Sequence, residues 1–187
     1  NQFQIKMFWK HSIGVAVLSK YLSAKSNHGN PEQCFISGLL HDMGKLVMAY
    51  YFVNDFEKVY ELVKNENSIY LDAERKALPA CHNEVGYFLA KKWRLPTLLA
   101  KTIYSHHSIQ AGSSSFEQDI IVNTADGIIN CYIPDFLNNN TEPGKITGRY
   151  FAAGAQKKMK LWIESSKNWF PEVQFLIKDA NQFFIEK

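Results

Sequence analysis

The stretch Ser37-Gly-Leu-Leu-His41-Asp42-Met-Gly-Lys45 sets an imidazole beside a carboxylate at the end of an apolar run, with a lysine one helical turn later. Neighbouring His and Asp side chains are natural metal ligands. Asp42 can hold one ion or bridge two, and an ammonium such as Lys45 can reach a phosphate oxygen. A His-Asp dipeptide alone is common. Its meaning depends on whether the rest of the chain supplies more ligands.

Other segments do. The periodicity is helical almost throughout, with no strand alternation and no repeat, so the expected fold class is all-α. The pattern predicts a first helix from Phe3 to Ala24, ended by the turn Ser26-Asn-His-Gly-Asn30. Asn30 caps a second helix with Pro31 at its first position and Glu32 in its first turn, running to about Asp42, where Gly44 is a suitable stop. Further helices are expected over Lys45–Phe52, Asp55–Asn65, Ile69–Leu78, His82–Trp93, Thr97–His107 and Phe116–Tyr132. Two more, Thr147–Ser165 and Pro171–Glu186, follow a loop at Asn138-Asn-Asn-Thr-Glu-Pro-Gly144.

Helical residues three, four, seven and eleven apart share a face. On that rule His11 lines up with Val15, Leu18 and Leu22, and His82 with Val85, Gly86, Leu89 and Trp93. His106 and His107 continue the stripe of Leu99 and Ile103, while Asp126 lies among Val122, Ile129 and Ile133. A lone inward histidine is ordinarily a hydrogen-bonded core residue, but a carboxylate is rarely buried without a partner. Five inward imidazoles and two carboxylates are costly to bury independently; one cation, or two sharing a carboxylate, satisfies them together. His28 fits no stripe and reads as solvent-exposed. Glu74 and Glu84 are expected to be exposed helix carboxylates, and Cys81 a packing residue rather than a ligand.

The 187 residues fit one domain, with 1–135 as a motif-bearing core and 136–187 as C-terminal helices. Apolar residues make up 46% and charged residues 21%, a globular balance. The net charge of +3 is mild and the densest basic run, Lys157-Lys158-Met-Lys160, reads as a solvated helix face, so no nucleic-acid partner is expected. Cys34, Cys81 and Cys131 are odd in number and widely spaced, which points to a reducing, cytoplasmic compartment and to small buried side chains. The most apolar region, Cys34–Val53, is interrupted by His41, Asp42 and Lys45, so no membrane span is expected. The chain opens Asn-Gln-Phe-Gln without an initiator Met and is expected to be part of something longer.

Phe8-Trp9-Lys-His11-Ser, Gly38-Leu-Leu-His-Asp-Met-Gly-Lys45, His82-Asn-Glu-Val-Gly86 and Trp93-Arg-Leu-Pro96 followed by His106-His107, with Asp126 downstream, resemble the HD superfamily of metal-dependent phosphohydrolases, and within it the HDOD branch. The resemblance covers about Phe8–Tyr132 and implies an HD-like helical bundle. It also implies that His41, Asp42 and Asp126 are core metal ligands, that His11, His82, His106 and His107 complete a binuclear set similar to that of HD-GYP proteins, and that Lys45 contacts phosphate. No Gly-Tyr-Pro follows His106-His107, so cyclic-di-GMP is not the implied substrate. The usual HDOD helical portion before the Trp-His motif is also nearly all absent.

The implied function is a signal-transduction domain with two divalent ions (Fe, Mn, Mg, Ni or Zn). It would hydrolyse a phosphorylated small molecule, such as a nucleotide or cyclic nucleotide, with Asp42 and Lys45 in the chemistry. Lys45 is expected near the site only if the helix does not break at Gly44; otherwise it is an ordinary solvated lysine. The alternatives are a non-catalytic metal- or nucleotide-binding module that signals through protein partners, and a di-iron oxygenase.

Overall fold

The protein is known from a computed structural model that describes residues 5–66, 70–132 and 156–185. Nine helices and no strand occur among them, in agreement with the all-α expectation. They are α1 (Ile5–Ser26), α2 (Pro31–Leu40), α3 (Met43–Tyr51), α4 (Val53–Glu66), α5 (Tyr70–Ala77), α6 (His82–Lys92), α7 (Thr97–Ser105), α8 (Phe116–Tyr132) and α9 (Gln156–Ile185). None of the described helices is long and apolar enough to cross a membrane. The expected 138–144 loop and the start of the expected helix at Thr147 lie outside the described residues, as does the start of the first helix at Phe3.

Local chemistry sets the helix starts. The Asn30 side chain accepts from the Glu32 and Gln33 amides at 3.0 and 3.1 Å, so α2 begins with two of its free N–H groups satisfied. The preceding turn puts Asn27 and Gly29 at positive φ (56° and 66°), which reverses the chain tightly enough to lay α2 on α1. His28 is part-exposed there rather than fully solvated, and its Nδ1 lies 3.2 Å from Glu117.

α1 is the axis of one layer and packs against α2, α8 and α9. Val15, Leu18, Leu22, Cys34, Ile121, Val122, Ile129, Phe170, Val173 and Ile177 form its shared core. A second core, built from Met43, Ala90, Leu99, Ala100 and Ile103, joins α3, α6 and α7. The inward histidines and aspartates lie where these two packed groups meet.

Two expectations fail. Gly44 does not stop α2, because the helix ends earlier, at Leu40, and Gly44 lies inside the first turn of α3. The two C-terminal helices expected around Pro171 are one, α9, with the proline inside it. An interior proline costs a helix about 3 kcal/mol, while burying a large apolar side chain returns about 1.5–3 kcal/mol. Phe170, Val173 and Ile177, all buried against α1 and α8, therefore outweigh the proline.

Cys34 and Cys81 are buried free thiols, as expected; the Cys131 side chain lies outside the described ones. Phe170→Ala should lower unfolding stability by about 3–5 kcal/mol, measured by chemical denaturation, because it empties the α1–α8–α9 core.

Candidate metal centre

α2 and α3 are separated only by His41 and Asp42, and this short break turns both side chains toward the interior. α1 supplies His11, the first residue of α6 supplies His82, the end of α7 supplies His106 and His107, and α8 supplies Asp126. All seven residues singled out from the sequence thus come together. Every one is buried except His107, which is partly exposed.

They fall into two groups about Asp42. Its Oδ2 lies 3.8 Å from His11 Nε2 and 3.3 Å from His41 Nε2. Asp126 Oδ1 joins those two imidazoles at 3.1 and 3.8 Å. The other oxygen, Oδ1, lies 3.2 Å from His82 Nε2 and 3.8 Å from His106 Nε2. His107 Nε2 is 3.1 Å from His82 Nε2, and His106 Nε2 is 3.4 Å from it. Asp42 with His82, His106 and His107 forms one set of ligand atoms within 4.8 Å of one another, and His11, His41 and Asp126 form a second.

The outer nitrogens are already committed. His41 Nδ1 donates to the Gly38 carbonyl at 2.7 Å, His106 Nδ1 to the Ile103 carbonyl at 2.8 Å, and His82 Nδ1 to Glu74 Oε2 at 2.6 Å. A proton held on Nδ1 turns the Nε2 lone pair inward, which is how metal-binding histidines are oriented. His11 Nδ1, His41 Nε2 and Asp42 Oδ1 are buried and make no hydrogen bond to a described group. Facing lone pairs 3–4 Å apart repel unless a proton or a cation lies between them, so the donor set fits metal ions.

Without a cation, protons and Lys45 balance the charge. Burial would lower the His41 pKa, but the Asp42 and Asp126 carboxylates outweigh it and hold it at about 10. Burial would raise Asp42, yet His41, Lys45 and His82 hold it well below the carboxylate range. Asp126 is held low in the same way, by His11 and His41. On the other side, burial and the adjacent imidazoles push His106 well down, and burial with His82 brings His107 to about 3. These two rings are therefore neutral, as ligands must be.

Lys45 reaches Asp42 Oδ2 at 2.5 Å although α2 has ended before it, because Asp42 and Lys45 are three residues apart across the start of α3. The condition set on Lys45 from the sequence, no helix break at Gly44, is met, because the break falls earlier, at His41 and Asp42, and Gly44 and Lys45 share α3. Gly44 has a different role from the expected stop. A Cβ there would collide with the His82 carbonyl oxygen and come within 2.8 Å of the Gly86 nitrogen, so α3 and α6 cross backbone to backbone at this point.

Glu74 corrects another expectation. It is fully buried rather than exposed, and it binds His82. Glu84 is exposed as expected, accepting the Cys81 amide at 2.8 Å at the start of α6. The Cys81 thiol is raised to about 11, first by burial and then by Glu74 and Glu84, which suits a packing residue rather than a thiolate ligand.

The HDOD domain model matches residues 1–109, so the chain belongs to the HDOD family. A crystal structure of an HDOD domain protein of unknown function from Geobacter sulfurreducens is similar, with a TM-score of 0.77 and 24% identity over 96% of this chain and 64% of that one. A second, from Shewanella amazonensis and named only provisionally as a phosphohydrolase, gives a TM-score of 0.70 and 18% identity over 96% and 65%. This chain thus spans just under two thirds of both. No curated protein matches it.

Gly44→Ala should cost on the order of 3 kcal/mol, because the clash is with backbone that cannot rotate away. The fall should appear as a lower midpoint in thermal unfolding followed by circular dichroism.

Proposed function

We propose that this HDOD chain binds two divalent cations at the His-Asp cluster and hydrolyses a phosphate ester bond of a nucleotide or cyclic nucleotide. The observation that carries this is the placement of Asp42. Each of its oxygens faces a different group of imidazole nitrogens, as a bridging carboxylate requires.

His11, His41, Asp126 and Asp42 Oδ2 would hold one ion, and His82, His106, His107 and Asp42 Oδ1 the other. Five nitrogens and two carboxylates favour a transition metal over magnesium, whose preferred ligands are oxygens. Bound there, such ions would supply Lewis-acid polarisation of a phosphoryl oxygen and would lower the pKa of a water so that it provides hydroxide near neutral pH.

The chain's own residues orient the substrate. The Lys45 side chain is 15% exposed and lies at the rim, where its ammonium can donate to a phosphate oxygen and offset developing negative charge. His107 and Lys45 retain more solvent contact than the other members, so a phosphoryl group enters on their side. The buried ring of His11, His41, His82 and His106 keeps bulk water away from the far side.

A non-catalytic regulatory module is the rival reading. Its support is Lys45 itself, whose ammonium contacts Asp42 Oδ2 directly and neutralises that oxygen without any ion. Transport of the signal to protein partners, and a cytoplasmic setting, belong to this reading.

Elemental analysis of purified protein should find close to two metal ions per chain, lost in Asp42→Ala and kept in His28→Ala. With added Mn²⁺, bis-nitrophenyl phosphate should be cleaved by wild type and by His28→Ala but not by Asp42→Ala. Lys45→Ala should retain the ions and lose about 10²–10³ in kcat, the loss typical of one charge-stabilising donor. Two bound ions with no turnover on phosphodiesters, nucleotides or cyclic dinucleotides would favour the regulatory module; no metal in either protein would remove the hydrolytic reading and the metal centre with it.

A further inference from the structure

Resting on the metal-centre reading, we infer that α5 is the outer shell of that centre, with Glu74 a positioning residue for His82 and Tyr70 a positioning residue for Lys45. The two residues are four apart, hence on one face of this eight-residue helix. The opposite face is solvated, with Asp72 and Arg75 paired at 3.0 Å and both more than half exposed.

α5 buries apolar surface through Ala73 and Tyr70, but beside them it also buries a carboxylate, Glu74, at 0% exposure, which packing alone does not require. Its Oε2 accepts from the His82 backbone N–H at 3.1 Å and from His82 Nδ1 at 2.6 Å. One carboxylate oxygen therefore fixes both the start of α6 and the rotation of the ring it carries. With the proton kept on Nδ1, His82 Nε2 points at Asp42 Oδ1, 3.2 Å away. Burying an anion this completely is costly, and its return here is the aim of a ligand nitrogen.

One turn earlier, the Tyr70 ring lies under Lys45 Nζ, 4.5 Å from the ring centroid. Lys45 is thus held from two sides, by the ring face and by Asp42 Oδ2. The same ring lies 5.9 Å from the His82 ring, so α5 touches both residues at once. Glu74 acts on the centre through His82, and Tyr70 through Lys45.

The test is Co²⁺ titration of the full chain, followed optically, together with proton–nitrogen NMR of the histidine rings in metal-free protein. Glu74→Ala should weaken one of the two binding steps by about 10–100-fold and leave the other unchanged, with Glu74→Gln recovering part of the loss. Glu84→Ala, at the same end of α6 but exposed, should leave both steps as they are. Tyr70→Leu should leave both steps unchanged and weaken inorganic phosphate binding to the loaded protein by about two- to five-fold. In metal-free wild type the His82 Nδ1 proton should resonate far downfield, and Glu74→Ala should abolish that signal. Equal losses in Glu74→Ala and Glu84→Ala would show a merely structural role and overturn the proposal. Should wild type take up no Co²⁺, the metal-centre reading fails and the NMR signal alone decides: its persistence in Glu74→Ala overturns the positioning role as well.

Discussion

The carboxylate of Asp42 is the constraint on which the rest depends. It is buried, and its two oxygens face two different sets of imidazole nitrogens at 3.2–3.8 Å. A carboxylate in that position is tolerable only if positive charge surrounds it. In the protein alone, that charge comes from the Lys45 ammonium and from protons on rings such as His41. Two cations would take over the same task with better geometry, since each would find nitrogen lone pairs already aimed at it.

The fold can be seen as the means of building this arrangement from two independent parts. The core shared by α1, α2, α8 and α9 carries His11 and Asp126. The core shared by α3, α6 and α7 carries His82 and, at its edge, His106 and His107. Asp42 sits at the junction between α2 and α3, where the chain passes from one core to the other. The centre is a seam, and the short break after Leu40 makes one carboxylate available to both sides. The backbone crossing at Gly44 and Gly86 seats α6 directly on α3 within the second core, which brings His82 beside Asp42.

Much of this was legible from periodicity, because ligand residues placed on apolar stripes must point where the stripe points. His11, His82, Asp126 and the His106-His107 pair all followed that rule. Three features were hidden. Gly44 looked like a helix stop, since a sequence shows glycine's freedom but not the close approach of α6 that requires it. Pro171 looked like a break, since propensity is local while the burial of Phe170, Val173 and Ile177 is tertiary. Glu74 looked like a surface carboxylate, since α5 is short and charged and its single inward face depends on where His82 lies. Its signal was faint but present: Tyr70 and Glu74 share the face that also carries Ala73 and Ala77 nearby, with the charged residues Asp72, Arg75 and Lys76 turned elsewhere.

The central claim is that Asp42 bridges two cations. Anomalous diffraction from crystals grown with Mn²⁺ tests it most directly. The account predicts two peaks flanking the Asp42 carboxylate, one among His11, His41 and Asp126 and the other among His82, His106 and His107. A single peak on one side, or none within ligand distance of Asp42, would contradict it.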